Sequence, residues 1–408
     1  MTAVRHVDVL VVGAGPAGLA AAARLAAAGA GRVEVLEREP EPGGVPRYSA
    51  HGGFGTRTRP LTGPRCARLL TEAAQRAGAT LRTGVTALDW APGGPVLTTT
   101  GPGGPETVRA RAVVLATGAR ERPRAARLVP GTRPAGVYTT GELQQAVHLF
   151  GQHIGTRAVV VGAEDVSYAA AGTLRTAGTE VVALVTEDPR AQAGRARAQA
   201  ARLRHGIPLL TSATVTALLG HGRLSGVRVR HRDGRTAVLP CDTVVFTGDF
   251  VPDHELARRG GLVLDPGTRG PATDGTWHTS RPGVFAAGNL LHAVEPARTA
   301  ALEGARAARA VLDHLAGTPW PDPGVPVLVS APLRWITPNR VTAGARPDRH
   351  LLRAGALPPR PALYVHQDGR LLHRRRLATA PSHRTLCLPA HWHDRVDPGG
   401  GPVRVSTG

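Results

Sequence analysis

The protein has 408 residues, which at roughly 100–200 residues per domain corresponds to two or three domains. Hydrophobic residues make up 42% and charged residues 20%, so a wholly disordered chain is excluded. The formal net charge is +20, every basic residue is an arginine, and the arginines are spread along the whole chain. This distribution disfavours a dedicated nucleic-acid surface. It favours attraction of anionic small molecules or an acidic partner.

The first segment follows the order strand, glycine-rich turn, helix, strand. The run VDVLVV over 7–12 is apolar and β-branched, as a buried parallel strand requires, and an alanine-rich helix follows it to Gly29. The run RVEVLE forms the second strand and ends at Glu37. This order is typical of a dinucleotide-binding unit.

The turn GAGPAG after the first strand has the spacing of a phosphate-binding loop. Gly13 allows the tight turn, Gly15 lets a pyrophosphate approach the backbone, and Gly18 lets the helix pack on the strand. The helix N-terminus offers free N–H groups to the phosphates, and Glu37 stands where a carboxylate accepts from ribose hydroxyls. We therefore assign cofactor binding to Gly13, Gly15, Pro16, Ala17, Gly18, Glu37 and Arg38.

The later elements predict a repeat of this unit and then a different domain. A long loop over 41–64 precedes a helix and short strands, and a second strand–turn–helix cycle starts near residue 157. Short strand-like runs and the hairpin turn Asp368-Gly369 mark the C-terminal part. The predicted fold class is α/β, with two Rossmann-like units, the second inserted into the first, and a small β-rich C-terminal domain. The expected limits are 1–120 and 250–316 for the first unit, 121–249 for the second, 317–326 for a linker and 327–408 for the last domain.

The cysteine pattern limits the chemistry. Cys66, Cys241 and Cys387 lie far apart, so they form no C-x-x-C redox pair and no Cys-rich zinc or iron–sulfur site. Such sparse cysteine fits a reducing cytoplasm. Because no stretch is long enough to span a membrane, we predict a cytoplasmic protein without a membrane partner.

Several motifs together resemble one family. Gly43-Gly44, the ATG at 116–118, the TG at 247–248 and GVFAAGN at 283–289 recur in the order seen in the FAD-dependent pyridine nucleotide–disulfide oxidoreductase superfamily, with the domain order of its thioredoxin-reductase-like branch. The resemblance covers residues 6–316 and implies that the first unit binds FAD. It adds these residues to the FAD site: Gly43, Gly44, Ala116, Thr117, Gly118, Gly288, Asn289 and Ala297.

The family's usual aspartate is Asn289 here, whose amide can still bond a ribityl hydroxyl. The resemblance also implies that the helix beginning near Glu295 presents the Ala297 N–H to the flavin, where its positive end would stabilise an anionic reduced ring.

The second unit departs from the family pattern. Its turn begins at Gly162, but Glu164 occupies the position where a glycine should let a pyrophosphate approach. The NAD(P)H site is therefore either degenerate or used differently, and a retained domain without nicotinamide binding stays open. If a nicotinamide does bind, Glu187 after the next strand favours NADH over NADPH, although nearby arginines oppose that preference.

A narrower resemblance runs through the loop after Gly43-Gly44 and the C-terminal segment LPAHWHDRVDPGGGPVRVS. These look like the flavoprotein subunits of opine-oxidase-like and hydrogen-cyanide-synthase-like dehydrogenases, which pass electrons from amines or amino acids to partner subunits.

Three functions follow. The first is an FAD-dependent oxidoreductase whose flavin accepts a hydride and passes electrons to an acceptor. The second is an electron-transferring subunit of a heteromeric amine, opine or amino-acid dehydrogenase. The third is a non-catalytic flavin- or nucleic-acid-binding protein, which the intact FAD motifs oppose. The expected partners are a small-molecule substrate and either an acidic acceptor protein or a subunit of such a dehydrogenase. A homodimer is left open.

Histidines provide weaker candidates. His51 lies in the loop after Gly43-Gly44 and is assigned a proton-transfer role, against the alternative of a loop histidine without function. His391 and His393 beside Asp394 are interpreted as the end of a surface strand, and no metal site is predicted. The run His373–Arg376 is interpreted as a solvated strand face or a patch for an acidic partner.

Overall fold

The computed structural model describes residues 3–56, 58–293, 295–355, 357, 360–377 and 385–408. The first part of the chain forms one sheet with helices against it, and a 3-10 helix spans Val45–Tyr48 in the long loop. Its elements are β1 (Ala3–Val12), α1 (Pro16–Ala27), β2 (Val33–Glu37), β3 (Phe54–Gly55), β4 (Pro60–Leu61), α2 (Gly63–Arg76), β5 (Thr80–Thr83), β6 (Thr86–Ala91), β7 (Val96–Gly101) and β8 (Gly104–Leu115).

The sheet of this part has the order β5-β2-β1-β8-β7-β6. β1 lies parallel to both β2 and β8, whereas β6 and β7 form an antiparallel extension of the sheet. Every residue of β2 and the last residues of β1 are buried, because apolar clusters cover both faces of the sheet. The ends of β1, β2 and β8 thus meet at one edge, where ligands of such folds bind.

The middle of the chain forms the second unit. Its elements are β9 (Ala119–Glu121), β10 (Val137–Thr139), α3 (Thr140–His148), β11 (Arg157–Val161), α4 (Asp165–Thr176), β12 (Glu180–Val185), α5 (Arg195–His205), β13 (Leu209–Leu210), β14 (Ala213–Leu219), β15 (Gly226–His231), β16 (Thr236–Pro240), β17 (Thr243–Phe246) and β18 (Phe250–Pro252). A parallel sheet has the order β10-β17-β11-β12-β13, and β14, β15 and β16 form an antiparallel sheet beside it. β9 and β18 pair with each other, so the two chain crossings between the units lie side by side.

The chain then returns to the first sheet through α6 (Glu255–Arg259), β19 (Val284–Ala286) and α7 (Ala297–Leu315). β19 pairs parallel with the end of β8. α7 packs so closely on α1 that a Cβ on Gly304 would lie 1.9 Å from the Ala17 carbonyl oxygen. No helix of the described residues is both long and apolar enough to cross a membrane.

The C-terminal part contains two further sheets. Its elements are β20 (Val325–Val329), β21 (Leu333–Thr337), β22 (Arg340–Val341), β23 (Arg349–Ala354), β24 (Ala362–Gln367), β25 (Arg370–Arg376), β26 (Thr385–Pro389) and β27 (Val403–Thr407). One sheet has the order β22-β20-β27-β24-β25 and the other β21-β23-β26. β20 starts at Val325, so two residues of the expected linker 317–326 belong to a strand.

Two details of this part bear on the sequence predictions. Asp368 and Gly369 both have positive φ between β24 and β25, as a two-residue hairpin turn requires. The segment around His393 is a 3-10 helix rather than a strand end, and His393 is buried against His350. The predicted α/β fold with two Rossmann-like units and a β-rich C-terminal part is confirmed.

Candidate active site

A cleft of about 1240 Å³ opens at the carboxyl ends of β1, β2 and β8. The first unit, the second unit and the C-terminal part all contribute to its walls. The predicted site residues that line it are Gly13, Gly15, Pro16, Ala17, Glu37, Arg38, Gly44, His51, Ala116, Thr117, Gly118, Glu164, Asn289 and Ala297. Sequence motifs from separate segments of the chain therefore meet in one place.

The glycines of the first turn divide into two kinds. A Cβ on Gly18 would lie 1.9 Å from the Gly13 carbonyl oxygen, and one on Gly13 would lie 2.5 Å from the Ala116 carbonyl oxygen. Both glycines are therefore required by packing. A Cβ on Gly15 would meet nothing within 4 Å, although Gly15 lines the cleft. The glycine at this position leaves space for a ligand.

The second glycine pair closes on the first turn. A Cβ on Gly44 would lie 2.9 Å from Gly15 Cα, and the Gly43 N–H donates to the Ala14 carbonyl at 2.8 Å. Gly43 itself packs behind the cleft, where an added Cβ would lie 2.7 Å from Ala67 Cβ. The pair thus forms one wall of the space in front of Gly15.

Glu37 organises the loop at the end of β2. Its Oε2 accepts from the Ala14 N–H and its Oε1 from the Glu39 N–H, both at 3.0 Å. The neighbouring Arg38 is exposed and reaches Asp253 Oδ2 at 3.5 Å. The Glu37 carboxylate is thereby fixed at the rim of the cleft, where it can accept further hydrogen bonds from a sugar.

The start of α7 forms the opposite wall. Asn289 Nδ2 donates to the Glu295 carbonyl at 3.0 Å, and the Glu295 N–H donates to Asn289 Oδ1 at 3.1 Å. Ala297 is the first residue of α7 and lines the cleft, so the positive end of the helix faces the cleft. The Asn289 side chain thus positions this helix end, and its predicted contact with a ribityl hydroxyl stays a prediction.

A partly buried histidine–glutamate pair supports the same helix. His292 Nε2 lies 2.9 Å from Glu303 Oε2, which also accepts from the Gly288 N–H at 3.2 Å. Burial disfavours the charged imidazole and lowers the pKa of His292. The charge of the Glu303 carboxylate and its hydrogen bond are together larger than this effect, so the pKa of His292 is raised. Gly288 is required by packing, since a Cβ there would lie 2.6 Å from Ala17 Cβ.

The turn of the second unit also reaches the cleft. The Glu164 N–H donates to Ser167 Oγ at 3.1 Å, and Ser167 Oγ lies 2.6 Å from Thr247 Oγ1. Gly162 is held tightly, because an added Cβ would lie 2.2 Å from Thr247 Oγ1. Glu164 stands at the N-terminus of α4 with its carboxylate in the cleft, whereas Glu187 is exposed and does not line it.

The C-terminal part contributes a residue that the motifs did not indicate. Arg353 on β23 lines the cleft with a side chain that is 13% exposed, and its Nη2 lies 4.0 Å from Glu164 Oε2. On the adjacent β26, the Thr385 hydroxyl hydrogen-bonds Glu295 Oε1. The indole of Trp335 on β21 stacks near His292, with ring centroids 6.1 Å apart. This part of the chain is therefore fixed against the start of α7.

Tyr48 and His51 are among the residues of the loop over 41–64 that line the cleft. Tyr48 lines it, and burial raises the Tyr48 pKa to about 12, so this phenol stays protonated and can donate a hydrogen bond. His51 also lines the cleft but is exposed, its Nδ1 lying 2.6 Å from the Gly52 carbonyl oxygen. The proton-transfer role of His51 stays a prediction.

A buried carboxylate lies at the crossing between the units. Glu121 on β9 accepts from the Gly248 N–H at 2.9 Å and from the Gly141 N–H at 3.1 Å. Burial raises the pKa of Glu121, although these N–H groups oppose the shift. The short ARE run around Glu121 contains no motif that could have indicated these hydrogen bonds at the crossing between the units.

The cysteines lie away from the cleft. Cys241 is buried, and burial raises its pKa to about 11, while Cys66 lies on α2 and Cys387 on β26. All three are free, and none of them lines the cleft.

A comparison with protein families matches residues 7–304 to the pyridine nucleotide-disulphide oxidoreductase family. The chain belongs to this family. The predicted superfamily is thus confirmed, with FAD as its cofactor, and the protein is an FAD-dependent oxidoreductase. The residues fit such a group, because Gly15 leaves open space in front of α1 and Glu37 holds a carboxylate at its rim.

Individual relatives agree with this assignment. The chain is 34% identical over 322 residues to a ferredoxin–NADP reductase of Salinispora tropica, covering 75% of this chain and 92% of that protein. It is 31% identical over 343 residues to an opine oxidase subunit of Rhizobium meliloti, covering 76% of this chain but 63% of that polypeptide. Among solved structures, the thioredoxin reductase of T. acidophilum is similar with a TM-score of 0.66 and 25% identity, over 77% of this chain and 100% of that one.

Proposed function

We propose that this protein uses FAD to oxidise a small amine or amino-acid-type substrate and passes the electrons to a partner protein. The observation that carries the proposal is Glu164, whose carboxylate stands at the N-terminus of α4 and faces Arg353. A carboxylate at a helix N-terminus competes for the place of a dinucleotide phosphate and repels it. Reduction by a nicotinamide is therefore disfavoured, which favours another electron donor.

In this scheme the chain's own residues bind and orient the FAD. Bound FAD would supply the two-electron acceptor for the substrate hydride. The turn around Gly15 would hold its pyrophosphate and Glu37 its ribose, while the N-terminus of α7 at Ala297 provides a positive electrostatic potential. Tyr48 remains a hydrogen-bond donor across the working pH range because its pKa is about 12.

The relatives support the substrate class and the partner. Besides the opine oxidase polypeptide, the chain is 31% identical over 284 residues to the alpha subunit of a Corynebacterium sarcosine oxidase, covering 28% of that protein. Both relatives are subunits by name, which supports an assembly with a partner chain. The chain contains no C-x-x-C pair, so disulfide chemistry is not part of the proposal.

The test is anaerobic equilibrium reduction of the FAD-loaded protein. We expect loss of flavin absorption with members of a panel of amines, N-methylglycine and L-amino acids, and weak or no loss with NADH or NADPH at equal concentration. Reduction by low-micromolar NADH or NADPH, with no response to any panel member, would reject the proposal.

The similarity to ferredoxin–NADP reductase, which spans 92% of that protein, favours a second function. In this alternative the chain transfers electrons from a nicotinamide to an acidic redox protein. Arg374 and Arg376 on β25 are exposed and would attract such a partner.

An acidic ferredoxin tests this second function as the electron acceptor. If the function is right, NADPH-driven reduction of ferredoxin is fast and slows steeply with salt. Replacing Arg374 and Arg376 by glutamate should slow the reduction of ferredoxin. Arg175→Glu on α4, which changes an exposed arginine of the second unit, is the matched control and should leave the rate unchanged.

A further inference from the structure

Arg353 reaches the cleft from outside the region that matches the family. It lies on β23 of the C-terminal part, beyond the matched residues 7–304. Its strand is held in place by the neighbouring β26, where Thr385 is the register partner of Arg353 and contacts Glu295 at the start of α7. The guanidinium is thus placed between two segments of the cleft by a fixed scaffold.

The surroundings of the Arg353 guanidinium provide the second observation. Within the part of the chain that the structure describes, it donates no hydrogen bond, and the nearest acid oxygen is Glu164 Oε2 at 4.0 Å. This distance exceeds that of a charge-assisted hydrogen bond, which is about 2.7–2.9 Å. Burial of the group also lowers its pKa, which reflects the loss of hydration. A mostly buried guanidinium with five N–H groups gains most from a planar anion with two acceptor oxygens.

The surrounding charges indicate which anion. Glu164, Glu295 and the exposed Arg334 all lie close enough to Arg353 to act on its charge, and the two carboxylates favour a ligand that carries a positive group beside its carboxylate. The two carboxylates, Glu164 and Glu295, oppose binding of a phosphate or pyrophosphate with two negative charges. A zwitterion instead places its carboxylate at the arginine and its ammonium near a glutamate.

We propose that Arg353 binds the carboxylate of an amino-acid-type substrate and that Glu164 binds the substrate ammonium. The inference rests on the proposed function, because it assigns the substrate head group of the same cleft. Arg353 and Glu164 are then specificity-determining residues contributed by different parts of the chain. The C-terminal part completes the substrate side of the site.

The test measures ligand binding to the oxidised, FAD-loaded protein, without turnover. The probes are L-alanine, L-arginine, N-methylglycine, alaninamide and inorganic pyrophosphate. Their binding is measured by the flavin absorption spectrum and by the thermal midpoint. We expect at least one of the three zwitterions to perturb the spectrum, alaninamide to bind at least tenfold more weakly than alanine, and Arg353→Gln to weaken the best zwitterion at least tenfold. Arg349→Gln, an exposed arginine on the same strand that faces a different cleft, is the matched control and should bind like the wild type.

The outcomes separate this inference from the proposed function. Binding of pyrophosphate in preference to every zwitterion, or equal zwitterion binding by Arg353→Gln and wild type, would overturn the assignment of Arg353. Failure of all three zwitterions to bind the wild type would overturn it as well. The proposed function fails separately, when no amine or amino acid of the larger panel reduces the flavin. Thermal midpoints of both arginine variants without ligand show whether a loss of binding reflects a loss of folding.

Discussion

Asn289 and Glu295 are joined by two hydrogen bonds that close the loop before α7. One bond needs a donor on the side chain and the other an acceptor, so an amide satisfies both and a carboxylate satisfies only one. The family's usual aspartate at this position would place a charged oxygen against the Glu295 carbonyl. The asparagine therefore has a structural reason in this chain that is independent of any contact with the cofactor.

Asn289→Asp should misplace the N-terminus of α7. We expect a loss of about 1–3 kcal/mol in the free energy of unfolding, since a carbonyl loses its donor, and weaker FAD binding. Thermal unfolding of the apoprotein and fluorescence titration with FAD measure the two effects. Gln152→Glu, an exposed amide, serves as the control, and tighter FAD binding by Asn289→Asp would contradict this account.

Two alanine substitutions in the first turn should separate folding from cofactor binding. Gly15→Ala meets no atom within 4 Å and keeps an ordinary φ of −79°, so the apoprotein should be as stable as the wild type within about 0.5 kcal/mol. Its added methyl projects into the cleft, so FAD affinity should fall at least tenfold.

Gly18→Ala is the converse case, because its Cβ would lie 1.9 Å from a backbone oxygen and should prevent stable folding. Circular dichroism and FAD titration of both variants check these expectations. Unchanged FAD binding by Gly15→Ala would exclude this turn as the phosphate site.

Glu164→Gly should increase the use of NADH. The substitution removes both a side chain and a negative charge from the N-terminus of α4, and glycine at such a position costs only a few tenths of a kcal/mol in stability. We expect a lower apparent KM for NADH in anaerobic flavin reduction, with Asp165→Asn as the control for loss of charge one residue away. Weaker reduction by NADH in Glu164→Gly than in wild type is the contrary result.

The buried histidine pair of the C-terminal part should make it sensitive to acid. His350 Nδ1 lies 2.8 Å from the Pro338 carbonyl, so this nitrogen carries the proton, and Nε2 accepts from His393 Nε2 at 2.8 Å. Burial lowers the pKa of His350 to about 3 and that of His393 to about 4. Between pH 6.5 and these values the unfolded chain binds protons that the native state does not, so stability falls as pH falls.

The pH dependence of the thermal midpoint checks this expectation. At pH 5 the free energy of unfolding is lower than at neutral pH by about 2 kcal/mol from His350 alone, at about 1.36 kcal/mol per unit of pKa difference. His350→Gln should therefore lose less stability than wild type between pH 7.5 and 4.5, while the partly exposed His366→Gln follows the wild type. Parallel pH curves for wild type and His350→Gln would show that this histidine does not titrate as described.

The geometry of the first turn could be predicted because its constraints are local. Gly13, Gly18 and Glu37 act through backbone geometry within one strand–turn–helix–strand unit, and this order is visible in the sequence. The hairpin at Asp368-Gly369 was predictable for the same reason. These predictions needed no knowledge of how distant segments pack.

The contribution of the C-terminal part could not be predicted in this way. Arg353 meets Glu164 across 189 positions of sequence, and nothing in the residues around either side chain indicates the other. The sequence places His393 beside His391 and Asp394, but its hydrogen-bond partner is His350 on β23. In both cases tertiary packing brings the residues together, and the local sequence pattern does not predict these contacts.

Stopped-flow reduction of the wild-type flavin distinguishes an amine or amino-acid donor from a nicotinamide donor. The observed rate constant is measured anaerobically with saturating amine or amino-acid donor, chosen as the best of the equilibrium panel, and with NADPH and NADH at the same concentration. We expect the amine or amino acid to reduce the flavin at least tenfold faster than either nicotinamide. Faster reduction by NADPH or NADH than by every amine and amino acid would contradict it.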